Sequence, residues 1–296
     1  MKIRRAVVTA AAPDQRELPL QRLVDRDGVR KPALRLLLDE AARAGVEEIA
    51  VVAHPDDAAP YAAAAGDPGP RVRFLEQLEA HGYAHALGLA RDFAAGEPFL
   101  HLVGDHLFVA RGGAEAGGAR DEGGPAQELV AIAEAEEATV SAVQATREAQ
   151  LRLYGAIGGA RVAGRERLFS VDAVLEKPTP TEAEQKLFVP GLRAGHYLCF
   201  FGMHVLPAAI FGLLDDALQG AADPARVSLS AALARLPGRA RYLALEVEAA
   251  RFNLGEKYGG MIAELALALS GRDRDEVLVQ LAELLAARER SRDARR

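Results

Sequence analysis

Apolar and polar positions along the first hundred residues follow two rhythms. Short apolar or β-branched runs at Ala6–Thr9, Ile49–Ala53, Val72–Leu75 and Phe99–Val103 read as strands. Longer stretches between them carry helical spacing: Pro32–Ala44 stopped by Gly45, then about Asp56–Ala64, then Tyr83–Phe93. Strands alternating with helices imply right-handed βαβ units and a mostly parallel sheet covered on both faces. The rhythm resumes with a helix over Pro125–Glu136 and a strand over Thr139–Ala145. Gly155–Val162 and Leu168–Leu175, joined by the turn-like Ala163-Gly164-Arg165, suggest an antiparallel element added to that sheet. After a polar, Pro-rich segment (Pro178–Pro190) come a strand at Tyr197–Phe201, a helix near Pro207–Leu218, a strand near Tyr242–Val247 and a helix over Glu256–Leu269. Asp273–Arg290 is expected to form a last amphipathic helix, with Val277, Leu278, Leu281, Leu284 and Leu285 at helical spacing. The stretch Arg111–Gly124 has no periodicity and reads as a mobile surface loop.

Composition narrows the function classes. The chain has 296 residues, half of them hydrophobic, with 36 basic side chains against 42 acidic ones, so its net charge is −6. A mildly acidic chain with no tryptophan and 5% aromatic residues argues against nucleic acid as a partner, which needs a concentrated basic field or stacking platforms. The basic tail Arg288–Arg296 reads as a solvated helix end. A single cysteine excludes a disulfide framework and a thiolate zinc site, and Cys199, inside the apolar run YLCFFGMHVL, reads as a buried small hydrophobe. No run approaches the roughly 18 apolar residues of a membrane helix. The first apolar run ends at Pro13, which suits a strand better than a signal peptide. The expectation is a soluble, cytoplasmic chain with no membrane partner. Its C-terminal helix either caps its own sheet or pairs with a second copy to give a homo-oligomer.

In open parallel sheets, ligands sit beyond the carboxyl ends of the strands. Four loops there hold polar residues that a core does not need. The first, Ala10 to Pro19, offers Arg16, whose planar donor fork suits a phosphate. The second pairs Gln77, whose amide can read a nucleobase edge, with Gly82-Tyr83-Ala84-His85-Ala86 at a helix start. The third, Gly104-Asp105-His106, puts a carboxylate at the tip of a buried strand, where Mg²⁺ could be held together with substrate phosphates. The fourth is Glu176-Lys177-Pro178, with an ammonium for a phosphate and a carboxylate for the hydroxyls of a polyol. Singly, each suits an ordinary role: a surface arginine, a helix start, a capping aspartate, a solvated ion pair.

Their order along the chain resembles one family. Arg16-Glu17-Leu18-Pro19, Lys31-Pro32-Ala33-Leu34, Ala44-Gly45-Val46-Glu47-Glu48-Ile49, Glu76-Gln77, Gly82 to Ala86, Gly104-Asp105, Tyr154-Gly155, Glu176-Lys177-Pro178 and Gly255-Glu256-Lys257-Tyr258-Gly259 follow one another as in bacterial UTP–glucose-1-phosphate uridylyltransferases. The resemblance runs from about Lys2 to Ser270. It implies a Rossmann-like nucleotidyltransferase fold, a mostly parallel mixed sheet flanked by helices with a small antiparallel insertion. Residues 1–270 would form the nucleotidyltransferase domain, and 271–296 the C-terminal amphipathic helix and basic tail. It also implies a reaction in which UTP or another NTP and a sugar 1-phosphate give an NDP-sugar, UDP-glucose above all, and pyrophosphate with Mg²⁺. Carried onto this chain, Arg16 would face the NTP phosphates and Ala11, Ala12, Gln77 and Gly82 would bind the nucleotide. Asp105 would bind Mg²⁺. Gly155 and Glu176 would hold the sugar hydroxyls, and Lys177 would neutralise the sugar phosphate. Arg16, Asp105 and Lys177 are thus the candidate catalytic residues.

Three departures leave a second reading open. The family's GxGTRxLP loop reads Ala12-Pro13-Asp14-Gln15-Arg16-Glu17-Leu18-Pro19, without its glycines and with an added carboxylate. The lysine-bearing PKEMLP segment has no counterpart, leaving Arg22, Arg26 and Arg30 as candidates to replace its charge. A second metal aspartate is expected where Asn253 stands, in Asn253-Leu254-Gly255-Glu256-Lys257. The alternative is therefore a catalytically inactive homologue that binds a sugar phosphate or nucleotide sugar as a regulatory or partner subunit.

Overall fold

The computed structural model describes residues 1–110 and 123–293. The surface loop expected over Arg111–Gly124 lies outside the described residues except for Gly123 and Gly124, and so do the side chains of the basic tail. The first half runs β1 (Arg5–Thr9), β2 (Arg22–Val24), β3 (Arg30–Pro32), α1 (Ala33–Arg43), β4 (Glu48–Ala53), α2 (Ala58–Ala65), β5 (Arg71–Glu76), α3 (Tyr83–Gly88), α4 (Arg91–Ala94), β6 (Phe99–Val103) and β7 (His106–Ala110). The second half runs α5 (Pro125–Glu136), β8 (Thr139–Arg147), β9 (Ala156–Arg161), β10 (Leu168–Leu175), α6 (Pro180–Lys186), β11 (His196–Leu206), α7 (Ile210–Gln219), α8 (Leu229–Leu233), β12 (Tyr242–Glu246), β13 (Ala249–Asn253), α9 (Gly259–Ser270) and α10 (Arg274–Asp293).

Among the described residues, nine strands form one mixed sheet in the order β5-β4-β1-β6-β11-β8-β12-β10-β9. Seven of the nine point the same way, and β10 and β11 run against them. Successive side chains on a strand leave opposite faces, so apolar runs can feed two cores at once. Ala6, Val8, Ile49, Val51, Leu100 and Leu102 pack on one face against Leu34, Leu37 and Leu38 of α1, Leu129 of α5 and Ala263 of α9. Val7, Ala50, Val52 and Phe99 pack on the other against α3, α7 and α8. No described helix is long and apolar enough to cross a membrane.

Several element ends follow from local chemistry. Gly45, at φ +83°, ends α1 in a conformation that glycine adopts without a Cβ penalty. Glu40, buried in α1, reaches α5, where its Oε1 accepts the Ala126 N–H at 2.9 Å. The single helix expected over Tyr83–Phe93 is two, α3 and α4, parted after Gly88, whose residue type has little helix preference. The polar segment Pro178–Pro190 contains a helix, α6, begun by a capping box between Thr179 and Glu182 with Pro180 in its first turn. The helix expected from Asp56 starts at Ala58, after a tight 3-10 turn over Pro55–Asp57. Two pairings were not foreseen: the β2–β3 hairpin, and a separate ribbon in which β7 and β13 run antiparallel with His106 opposite Asn253.

Candidate active site

Strand register builds the cleft. One edge of β11 pairs with β6 through Met203 to Leu206, opposite Leu102 to Phe99. Farther along, Leu198 and Cys199 of β11 pair with Ile157 and Ala156 of β9. Thus β9 begins a few residues beyond the point where β6 ends, and the Gly104–Asp105 turn lies alongside Tyr154–Gly155. Gly202 occupies the gap at φ +89°, and a Cβ there would stand 2.7 Å from Cγ2 of Val103. Gly104 lets the turn close on β1: its N–H donates to the Thr9 carbonyl at 2.9 Å, and a Cβ would stand 2.5 Å from that oxygen.

The structure brings Gly155, Glu176 and Lys177 together. A Cβ on Gly155 would meet Oγ of Ser230 at 2.5 Å, the Phe200 ring at 2.7 Å and Oε2 of Glu176 at 3.0 Å. Ser230, buried at the start of α8, donates its hydroxyl to Oε2 of Glu176 at 2.6 Å. The ammonium of Lys177 lies 3.9 Å from Oε1 of Glu176, and its backbone, at φ +45°, donates to the Tyr154 carbonyl at 3.2 Å. A left-handed, non-glycine residue is the kind of local strain found at ligand sites. Lys177 stays more than half exposed, so its charge faces open water.

Asp105 is held from two sides. Its Oδ1 lies 2.6 Å from Nδ1 of His106, and its carbonyl accepts the Leu254 N–H at 2.8 Å. Burial alone would raise its carboxyl, but the hydrogen bond and charge of His106, with Arg251 nearby, outweigh that and hold it below the usual carboxylate range. Asn253 sits across the ribbon, and its Oδ1 accepts the Gly255 N–H at 2.8 Å. Arg251, two residues earlier, sends Nη1 to the Phe200 carbonyl and lays its guanidinium 3.6 Å from the centre of the Tyr154 ring. Burial draws its pKa below the usual arginine value.

The nucleotide-side candidates are arranged differently. Arg16 donates Nε and Nη2 to the two oxygens of Asp57 at 2.5 and 2.9 Å, with Asp56 3.6 Å away. Its hydrogen bonds therefore run to the start of α2 and not to Asp105 or Lys177. Tyr61 braces the same loop, its hydroxyl donating to the Arg16 carbonyl at 2.7 Å. Ala11 is half-buried, Ala12 is exposed, and the Ala12 carbonyl accepts the Gln15 N–H at 3.0 Å in a turn. Gln77 is buried, and its Nε2 donates to the Gly82 carbonyl at 3.3 Å and to Nδ1 of His85 at 3.1 Å. Gly82, at φ +88°, lies under the 223–226 turn: a Cβ there would stand 2.1 Å from the Ala225 carbonyl oxygen. Lys31 is spent on Asp25 and Asp39, at 2.8 and 3.2 Å. Arg22 donates to the Arg30 carbonyl and Arg26 to the Ser270 carbonyl, so neither is aimed at the cleft.

Four residues near the site carried no signal in the sequence, or only part of one: Asp57, Ser230, Arg251 and Tyr83. Tyr83 stood inside the Gly82–Ala86 motif. It shares its hydroxyl with Nε2 of His101, whose Nδ1 bonds the Val7 carbonyl at 3.0 Å. Burial raises the Tyr83 phenol, and the Asp105 and Glu176 carboxylates both add to the rise, so one buried hydroxyl feels both halves of the cleft. Cys199 is buried, and its thiol is pushed up to about 11, which leaves no thiolate for nucleophilic chemistry at neutral pH.

No protein-family model matches the chain. Curated relatives do. UTP–glucose-1-phosphate uridylyltransferase 2 of Staphylococcus saprophyticus is 26% identical, over 94% of this chain and 96% of its own. The UTP–glucose-1-phosphate uridylyltransferase of Streptococcus pneumoniae is also 26% identical, over 97% of this chain and 99% of its own. Along nearly its whole length the chain is thus similar to curated UTP–glucose-1-phosphate uridylyltransferases. A crystal structure of UDP-glucose pyrophosphorylase complexed with UDP-glucose superposes with a TM-score of 0.70 at 19% identity, covering 89% of this chain and 98% of that one. A UTP-bound UGPase from Acinetobacter baumannii gives 0.69 at 20% identity, over 95% and 98% of the two chains. The fold is accordingly the Rossmann-like α/β fold of the nucleotidyltransferases, as the motif order implied.

Proposed function

We propose that this chain is a nucleotidyltransferase that joins UTP and glucose 1-phosphate into UDP-glucose and pyrophosphate, using Mg²⁺, in the cytoplasm. Two things support the reading: the activity for which its relatives are named, and the register that sets the Asp105 turn beside Gly155, Glu176 and Lys177. The second carries it, because the reaction needs two phosphorylated substrates side by side and little else from the protein. A phosphate oxygen of the sugar 1-phosphate attacks the α-phosphorus of UTP in line, and pyrophosphate leaves from the opposite side. No bond to the enzyme forms, so catalysis is positioning and charge neutralisation.

In this reading Glu176 accepts from sugar hydroxyls, fixed by the Ser230 bond, while Gly155 lets the sugar approach the backbone. Lys177 lies beside the attacking phosphate and offsets its charge. Gln77 and Gly82 contact the uracil, the backbone at Ala11 and Ala12 approaches the phosphates, and Arg16 exchanges Asp57 for the triphosphate when the nucleotide arrives. The oxygen donors fit a cation that brings phosphate oxygens with it: one carboxylate, Asp105, and one amide, Asn253, suit Mg²⁺, which keeps waters and phosphates as its other partners. No group of three or more His, Cys, Asp or Glu able to hold a metal alone exists among the described residues. Bound there, Mg²⁺ would draw charge from the phosphoryl oxygens as pyrophosphate departs.

The test is pyrophosphate release from UTP with Mg²⁺ and a panel of sugar 1-phosphates. Turnover with glucose 1-phosphate that disappears in Asp105→Ala and Lys177→Ala supports the reading. One observation favours an inactive binding homologue instead: Arg16 is neutralised by Asp56 and Asp57, in a loop that also carries Asp14. No release with any NTP, together with sugar-phosphate binding by calorimetry, would select that alternative.

A further inference from the structure

Arg251 differs from the other basic side chains around the cleft. Arg16 is paired with Asp57, and Lys31 with Asp25 and Asp39, whereas Arg251 forms no ion pair with a carboxylate among the described residues. It is half-buried all the same. Its two close partners, the Phe200 carbonyl and the Tyr154 ring, orient the guanidinium without cancelling its charge. Asp105 and Glu256 lie near enough to feel its charge but make no direct ion pair with it. A desolvated cation without such a pair is costly to keep, and it stabilises an anion placed against its open donors more strongly than a solvated lysine would.

Its position identifies the anion. The Phe200 carbonyl belongs to the stretch of β11 edge that β6 has left and β9 is joining, and the Phe200 N–H donates to the Gly155 carbonyl at 2.8 Å. Arg251 therefore wedges into the gap between the Asp105 turn and the Gly155 backbone. The Tyr154 carbonyl beneath it accepts the Lys177 N–H, so the two cations flank one backbone segment. The neighbouring Asp105 carboxylate makes the spot unsuitable for a carboxylate ligand unless a cation intervenes, and suits a phosphate that shares that cation.

We propose that Arg251 binds the phosphate of a sugar 1-phosphate, a dianionic monoester, opposite Lys177. The inference rests on the proposed reaction for the identity of the sugar phosphate, but the binding itself is measurable without turnover. Calorimetry with glucose 1-phosphate on the full chain is the experiment, with Mg²⁺–UTP as the comparison ligand. Arg251→Met is expected to weaken glucose 1-phosphate binding about tenfold or more, the size of a lost hydrogen bond to a charged group. Arg251→Lys, which keeps the charge but loses the planar fork, is expected to weaken it about threefold to tenfold. Mg²⁺–UTP affinity should stay within about twofold in both, a split that a purely structural arginine would not give.

Glucose 1-phosphate affinity within about twofold of the unaltered chain, in either variant with an unchanged thermal midpoint, overturns the proposal. Equal weakening of both ligands overturns it too, as does a lack of glucose 1-phosphate binding by the unaltered chain. If Arg251→Met does not fold, Arg251→Lys decides alone. Turnover of the unaltered chain separates the two ideas. Activity combined with Arg251-independent binding keeps the reaction and removes this site. Arg251-dependent binding without activity keeps the site and removes the reaction.

Discussion

Arg16 and Asp57 face each other fork to fork, with Nε 2.5 Å from Oδ2 and Nη2 2.9 Å from Oδ1. The pair joins the loop after β1 to the start of α2, and it competes with any phosphate for the same donors. Asp57→Asn keeps the shape and removes the charge. In steady-state pyrophosphate release it is expected to lower KM for UTP several-fold with kcat within about twofold, since uniform binding appears in KM alone. An unchanged or higher KM would show that Arg16 keeps its partner when the nucleotide binds.

In the proposed reaction Lys177 offsets phosphate charge directly, and Asp105 acts through the cation it would hold on the other side of the reacting phosphates. Asp105→Asn and Lys177→Ala are each expected to reduce kcat about a hundredfold or more, the usual loss when one preorganised charge contact is removed. Thermal midpoints should move little for Lys177→Ala, because that side chain is mostly in water and its ion pair with Glu176 spans 3.9 Å. Activity within about tenfold of the unaltered chain would place the chemistry elsewhere.

Asn253→Asp restores a carboxylate opposite His106 while preserving an acceptor for the Gly255 N–H. A second anionic oxygen donor should lower the Mg²⁺ concentration for half-maximal activity. A Mg²⁺ titration that superposes on that of the unaltered chain would take position 253 away from the cation.

Gly82→Ala tests the tight seat of the 223–226 turn. The added Cβ would stand 2.1 Å from a backbone oxygen and would sit at φ +88°. Strain and displacement together should cost at least about 2 kcal/mol of stability, read by denaturant unfolding. A loss below about 0.5 kcal/mol would mean that the turn moves aside freely.

Acid sensitivity should come from the buried histidines. Burial lowers His101 to about 4, and His204, ring-stacked on it and bonded to Ser141, lies well below its usual value. Above pH 6.5 neither the folded nor the unfolded chain protonates His101, so it adds nothing to the pH dependence. Between pH 6.5 and about 4 only the unfolded chain takes up the proton, and folding stability falls as the pH falls. For His101 alone the loss would reach about 3 kcal/mol below pH 4. Urea unfolding from pH 7 to pH 4 checks this: His101→Gln should show a flatter slope, and an equal slope would assign the acid loss to other groups.

The main sheet was legible because both of its faces are covered. A run such as Ala6 to Val8 is apolar at every position when alternate residues feed separate cores, and few other structures demand that. The β7–β13 ribbon was not legible, since its strands lie about 140 residues apart and Ala249 to Asn253 carries an arginine and an asparagine. The sugar-side candidates could be read because Gly155, Glu176 and Lys177 stand in short loops directly flanking strands. Arg16 could be found but not its partner: an arginine in a loop looks free until Asp57 folds back upon it. Arg251, between Ala250 and Phe252, gave no sign of being a buried cation, because its role depends on where β6 and β9 part along β11.

The spacing of Asp105 and Asn253 is set by a two-stranded ribbon outside the nine-stranded sheet, whereas Gly155 and Glu176 are anchored to the sheet's own strands. A ribbon can twist or slide without breaking the ladder beneath it. Under the proposed function, the half of the cleft that would handle the ion is built on a soft mount and the half that would grip the sugar on a rigid one, so divergence could retune metal demand at Asn253 and leave carbohydrate selection intact.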